Sequence, residues 1–137
     1  MSSFEQVADN IYTFPIVLPN NPLKWLNCYV VRSDGRNLLI DTGFKRPECR
    51  EALLDGMHRL GLTPDNTDIF ITHLHSDHTG NAAYLAGEGF SVLMGRTDHR
   101  VVTMPEKDKH KETHARFLRE GMPKEDLALW SAQTPAI

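Results

Sequence analysis

Within Thr72-His73-Leu74-His75-Ser76-Asp77-His78-Thr79-Gly80, three imidazoles and one carboxylate fall inside six positions, just after the apolar run Asp68-Ile69-Phe70-Ile71. Such a density of nitrogen and oxygen donors suits a divalent metal, with His73, His75, Asp77 and His78 as ligands. The set fits Zn²⁺, and Fe²⁺, Mn²⁺ or Co²⁺ would accept it too. If the backbone stays extended beyond the apolar run, His73, His75 and Asp77 project to one side, because alternate residues of a strand share a face. His78 then joins them through a turn, which Thr79-Gly80 can supply. A strand pattern leads in, a glycine turn leads out and a helix pattern follows at Asn81 to Ala86. A solvated histidine cluster, the alternative, requires none of that context.

The other histidines and the cysteines read differently. His58 lies off the apolar stripe of its helix and reads as solvated. His110 and His114 are four apart on one helix face, a spacing that suits a metal. In His-Lys-Glu-Thr-His, however, the glutamate comes one place too late for His-Glu-x-x-His. With Lys107, Lys109, Lys111 and Glu112 around them, the two histidines read as a solvated or substrate-pocket-lining face. Cys28 and Cys49 fall inside a strand and a helix pattern, away from Cys-x-x-Cys spacing, so each reads as a small core residue and not as half of a disulfide.

To position the donors, a strand must end near Thr72. Ile11 to Val17 reads as the opening strand, with Pro15 assigning its end to an edge. Leu26 to Arg32 and Asn37 to Asp41 follow as strands joined by Ser33-Asp34-Gly35-Arg36, a hairpin signal. Pro47 and Gly61 frame a helix from Glu48 to Leu60, whose Cys49, Leu53, Met57 and Leu60 form a stripe for the sheet. Thr63-Pro64-Asp65-Asn66 turns the chain into the motif strand. A helix at Thr79 to Ala86, closed by Gly87, then points its positive end at the donors, where it favours an anionic group. Phe90 to Met94 is one more strand. The order predicts an α/β (α+β) fold, half of a layered sandwich with a mixed sheet flanked by helices. From Gly95 the character changes to helical patterns at Thr97 to Val102, Glu106 to Glu120 and Lys124 to Trp130. Phe117, Leu118, Leu127 and Trp130 are the residues that would dock them.

The chain has 137 residues, enough for one core and too few for two ordinary domains. No apolar run approaches the roughly twenty residues of a membrane span. Met1-Ser2-Ser3-Phe4-Glu5 lacks the basic and apolar regions of a signal peptide. A cytoplasmic protein with no membrane partner is expected. A formal charge of −3, with no block of like charge, leaves no electrostatic footprint for nucleic acid.

His73, His75, Asp77 and His78 form His-x-His-x-Asp-His, and in this the chain resembles the metallo-β-lactamase-fold superfamily. The likeness extends to Asn27-Cys28-Tyr29-Val30-Val31, similar to that family's second strand, and to Leu39-Ile40-Asp41-Thr42-Gly43, similar to its Asp-Thr-Gly turn. It covers about residues 10 to 95. The resemblance implies an αβ/βα sandwich of which residues 1–95 are the N-terminal half, with 96–137 a helical insertion or cap. It also implies two zinc ions, the first on His73 and His75 and the second on Asp77 and His78. Asp41, with Thr72, would brace the ligands from behind, unless Asp41 is an ordinary turn carboxylate.

The same family completes its sites with downstream residues in a Gly-His-Thr-x-Gly-His setting. After Met94 this sequence offers only His99, His110 and His114, in other settings. The expectation is therefore a truncated chain with incomplete sites, inactive alone, that associates as a homodimer through the surface left open. The implied activity is metal-dependent hydrolysis of a small molecule, with Asp77 also orienting the attacking water or passing a proton to the leaving group. His78 stands where some lactam-hydrolysing members carry Arg, and His75 where flavo-diiron members carry Glu. Thioesterases of the glyoxalase II type, lactonases and related esterases keep all four residues. The rivals are a phosphodiesterase or nuclease of the same fold and a non-catalytic interaction module.

Overall fold

The computed structural model describes residues 4–133, so readings of Met1 to Ser3 and of Thr134 to Ile137 lie outside the described residues. The chain forms two compact units, one reaching to Asp98 and one starting at His99. The first holds a mixed sheet of six strands that lie side by side in chain order: β1 (Glu5–Ala8), β2 (Ile11–Val17), β3 (Trp25–Val31), β4 (Asn37–Ile40), β5 (Thr67–Ile71) and β6 (Ser91–Met94). It is an α+β fold. The first four strands pair antiparallel, and β4, β5 and β6 run parallel.

Connection length accounts for the change of direction. Arg32 to Arg36 is short enough only for a hairpin, whereas the stretch between β4 and β5 holds α1 (Pro47–Arg59), and a parallel pair needs such a crossover. Arg36 anchors the junction, donating to the carbonyls of Pro64 and Asp65 and pairing with Asp68 at 2.9 Å. On α1, Cys49, Leu53 and Met57 are buried at the spacing the sequence predicts, and Leu60 just beyond completes the stripe. The helix packs against β2 so closely that a methyl group on Gly56 would run into the Phe14 ring. His58 is exposed, and both cysteines are free and buried.

One face of the sheet carries the core. Register aligns Tyr12, Val30, Leu39, Ile69 and Val92 in one row, with Phe14, Cys28 and Ile71 nearby, under α1 and α3 (Ala82–Gly87). The other face carries the row Thr13, Tyr29, Ile40, Phe70 and Leu93. There Tyr29 is 38% and Leu93 48% exposed, whereas Thr13 is buried.

Three details differ from expectation. Strand β1 was not anticipated, because every one of its residues is exposed and no alternation marks it. It pairs with β2 only as far as Thr13, which leaves Pro15 beyond its end with no ladder bond to lose. Strand β5 ends at Ile71, so Asp77 does not alternate with His73 and His75 on a strand. It sits instead in the one-turn helix α2 (Ser76–Thr79). The expected helix at Thr79 to Ala86 is broken, because Gly80 and Asn81 separate α2 from α3.

The second unit holds most of α4 (Arg96–Thr103), with α5 (Glu106–Arg119) and α6 (Lys124–Gln133). Helix α5 ends in a left-handed glycine cap at Gly121, φ +90°, with the Met122 amide donating to the Phe117 carbonyl. Phe117 meets the Trp130 ring edge-on at 5.0 Å and Leu127 is buried, whereas Leu118 stays 44% exposed. Among the described residues, no helix is long and apolar enough to cross a membrane.

Candidate metal centre

The parallel pair β4 and β5 ends at one edge of the sheet and delivers Asp41 beside Thr72, with the Asp41 amide still donating to the Phe70 carbonyl at 3.0 Å. Asp41 takes a left-handed conformation, φ +66°, which aspartate tolerates better than most residues. That turn aims its carboxylate inward. Oδ1 accepts the Thr72 amide at 2.9 Å, while Oδ2 lies 2.8 Å from both the Thr72 hydroxyl and His78 Nδ1.

A carboxylate can only accept, so His78 Nδ1 donates to Asp41, and in the neutral ring that leaves the lone pair on Nε2. The same reasoning reaches His73. The Thr72 hydroxyl spends its proton on Asp41, so His73 Nδ1, 3.0 Å away, must be the donor to the hydroxyl oxygen. His73 Nε2 is thereby also a free acceptor, and it faces His75 Nδ1 at 3.0 Å. On the other side, His78 Nε2 faces Asp77 Oδ2 at 3.5 Å. The His73 ring centroid lies 4.5 Å from that of His75 and 4.1 Å from that of His78.

These spacings can be compared with a metal's needs. At zinc–nitrogen bonds of about 2.0 to 2.1 Å, two ligand atoms on a tetrahedron stand roughly 3.4 Å apart. The two observed separations bracket that value, so each pair fits as one edge of a coordination polyhedron. The arrangement is two pairs and not a triad. Among the described residues, no group of three histidine, cysteine, aspartate or glutamate side chains is gathered as a metal site.

Behind the donors lies a frame that sequence reasoning missed. Thr42 donates from both its amide and its hydroxyl to the His78 carbonyl, at 2.9 and 2.7 Å. Asn81 donates its side-chain amide to the carbonyls of Thr42 and Phe44, at 2.8 and 2.9 Å, and accepts from Arg50 Nε at 3.2 Å. Thr42 and Asn81 are fully buried. Gly80 presses on the backbone of Gly43 to Lys45, where a side chain would collide. The available signal was a buried-side threonine after Asp41 and an asparagine directly after the motif glycine, which reads first as a helix cap. In the fold, the Asn81 side chain makes no cap hydrogen bond.

Cys28 sits behind Asp41. Burial, and secondarily the Asp41 carboxylate, push its thiol well above the ordinary range. His110 and His114 belong to the second unit, where their rings lie 6.3 Å apart and both meet the Trp130 ring. Ser131 donates to the Leu127 carbonyl, so it accepts from His114 Nε2 at 2.6 Å, and His114 ties α5 to α6.

Comparison with known proteins now gives this geometry a context. Residues 26–131 match the model of the Metallo-beta-lactamase superfamily. An atrochrysone carboxyl ACP thioesterase of Aspergillus novofumigatus is 34% identical over 88 residues, covering 58% of this chain and 24% of its own length. A lactamase-like protein of Pestalotiopsis microspora is 32% identical over 85 residues, covering 59% and 25%. Among solved structures, a metallo-beta-lactamase family protein from Thermus thermophilus superposes with a TM-score of 0.65 at 30% identity, over 87% of this chain and 40% of that one. The DIM-1 metallo-beta-lactamase shares the fold, with a TM-score of 0.59 at 21% identity over 79% and 48%. The chain spans about a quarter of the length of these curated relatives and less than half of these solved structures. With the family match running from the third strand through most of the second unit, the chain belongs to the metallo-beta-lactamase superfamily.

Proposed function

We propose that this chain carries the motif half of a metal-dependent hydrolase centre for a small thioester, lactone or related ester. The observation that carries the reading is the division of labour within the imidazoles. The Nδ1 atoms of His73 and His78 are tied outward to Thr72 and Asp41, while both Nε2 atoms face a second donor. A hydrogen-bonded outer nitrogen is what fixes a ligating histidine's tautomer and direction.

In this reading His73 Nε2 and His75 Nδ1 hold one ion, and Asp77 Oδ2 and His78 Nε2 hold a second. Zn²⁺ is the metal that this donor set suits, with Fe²⁺ or Mn²⁺ as substitutes. Held there, an ion would supply an activated water, with a pKa of about 7, and polarisation of the substrate's carbonyl oxygen. Asp77, half-buried beside His78, keeps an oxygen for orienting the water or handing a proton to the leaving group. The name of the Aspergillus relative supports an acyl thioester as substrate class. The net charge of −3 argues against nucleic acid. Each pair supplies two of the three protein ligands usual at a catalytic zinc, so we propose weak binding and little turnover by these 137 residues alone. We further propose that the open sheet face lets two copies associate.

Zinc titration against a chromophoric chelator tests the reading. Two ions per chain are expected, with His73→Ala or His75→Ala removing one and Asp77→Ala or His78→Ala the other. Binding no tighter than that of a variant lacking all four side chains would sink it. Thioester, lactone and phosphodiester substrates, offered to the metal-loaded chain and to a longer protein containing it, assign the substrate class.

A further inference from the structure

The ligand His78 is held from behind by a run of three residues that leads back to helix α1. We infer that Arg50, Asn81 and Thr42 act as positioning residues, a hydrogen-bonded chain that sets the tautomer and direction of the His78 imidazole. Its consequence for metal binding rests on the reading above, but the chain of contacts does not.

The argument begins with an orphan. Helix α2 is only one turn long, so the His78 carbonyl has no helical amide four residues on to accept from. Thr42 takes that role twice, through its amide and its hydroxyl. The hydroxyl's direction is itself decided, because the Asn81 amide donates to Thr42 Oγ1 at 3.2 Å and leaves the hydroxyl proton for His78. The Asn81 side chain cannot be reversed either. Its nitrogen faces two carbonyls and its oxygen faces the Arg50 guanidinium, so a flip would set acceptor against acceptor and donor against donor. Arg50 in turn lies 4.2 Å over the Tyr84 ring.

The residue before Thr42 is Asp41, which holds the His78 ring. One short loop therefore grips both the backbone and the imidazole of the same residue, and Asn81 fixes that loop. His75 touches neither Asp41 nor Thr42 and reaches Asp41 only through His73 and Thr72, so it is the imidazole that should respond least.

The test reads imidazole tautomers by long-range ¹H–¹⁵N NMR in the metal-free chain, at a pH where the rings are neutral. In the parent protein His78 is expected as the single Nδ1–H form. Asn81→Ala and Thr42→Val should mix its tautomers, and Arg50→Met should do so more weakly, while His75 keeps its signals. Thr42→Ser, which retains the hydroxyl, should restore the parent pattern. In zinc titrations the affinity of the ion on Asp77 and His78 should fall about tenfold and that of the ion on His73 and His75 should fall less. If Asn81→Ala fails to fold, Thr42→Val and Arg50→Met decide. A folded Thr42→Val or Arg50→Met with the parent His78 tautomer overturns the inference, as does equal disturbance of His75. Mixed tautomers in a chain that binds no zinc in any form would overturn the metal reading and leave the positioning chain standing.

Discussion

Asp41 is the carboxylate on which both donor pairs depend, since its two oxygens reach His78 directly and His73 through Thr72. Asparagine also tolerates a left-handed backbone, so Asp41→Asn isolates the loss of charge and of one acceptor. Zinc affinity should fall 10- to 100-fold, roughly the effect of removing a hydrogen-bonded partner behind a ligand, and the urea midpoint should fall too, because the new amide nitrogen opposes a donor. The buried thiols give a second expectation. Burial raises both Cys28 and Cys49, with the Asp41 carboxylate adding to the rise at Cys28. Below the unfolded thiol's pKa of about 8.5, each thiol keeps its proton in both states. Above it the unfolded chain sheds the proton first, so stability falls as pH rises. Urea midpoints measured across roughly pH 7 to 10 should show that fall, and Cys28→Val should flatten it.

At the scale of elements, two loops make the site, 41–45 after β4 and 72–81 after β5, and they touch backbone to backbone. Gly80 is the point of contact, where any Cβ would meet the main chain of Gly43, Phe44 and Lys45. Gly80→Ala should lower stability by about 3 kcal/mol in urea unfolding, because backbone cannot give way as a side chain tip can. It should also loosen zinc. These elements were largely legible in the sequence. The Asp34-Gly35 hairpin, the α1 stripe and the apolar run of β5 each carry a strong local period, and the density of donors at residues 73 to 78 marks the site. The frame was not legible. Thr42, Asn81 and Arg50 matter through partners about 30 or more positions away, and no local pattern distinguishes a buried asparagine that grips a loop from one that caps a helix. The break between α2 and α3 was missed for the same reason, since it falls at Asn81, whose side chain is held by the carbonyls of Thr42 and Phe44.

At the scale of the molecule, the sheet is covered by helices on one face and presents Tyr29, Ile40, Phe70 and Leu93 on the other. The proposed pairing of two copies would cover the exposed Tyr29 and Leu93 of this row. Sedimentation should show association that grows with concentration, and Leu93→Lys should abolish it while changing the monomer's stability by no more than about 0.5 kcal/mol. A monomer at every concentration would count against the paired form. Strand order carries one last consequence. Because the six strands lie side by side in the order they are made, each pairs with the one just before it, the β4–β5 pair across the α1 crossover. The candidate donors and the residues that brace them lie between Asp41 and Asn81, so the first compact unit alone carries the whole frame described for them, whatever the helices beyond His99 do.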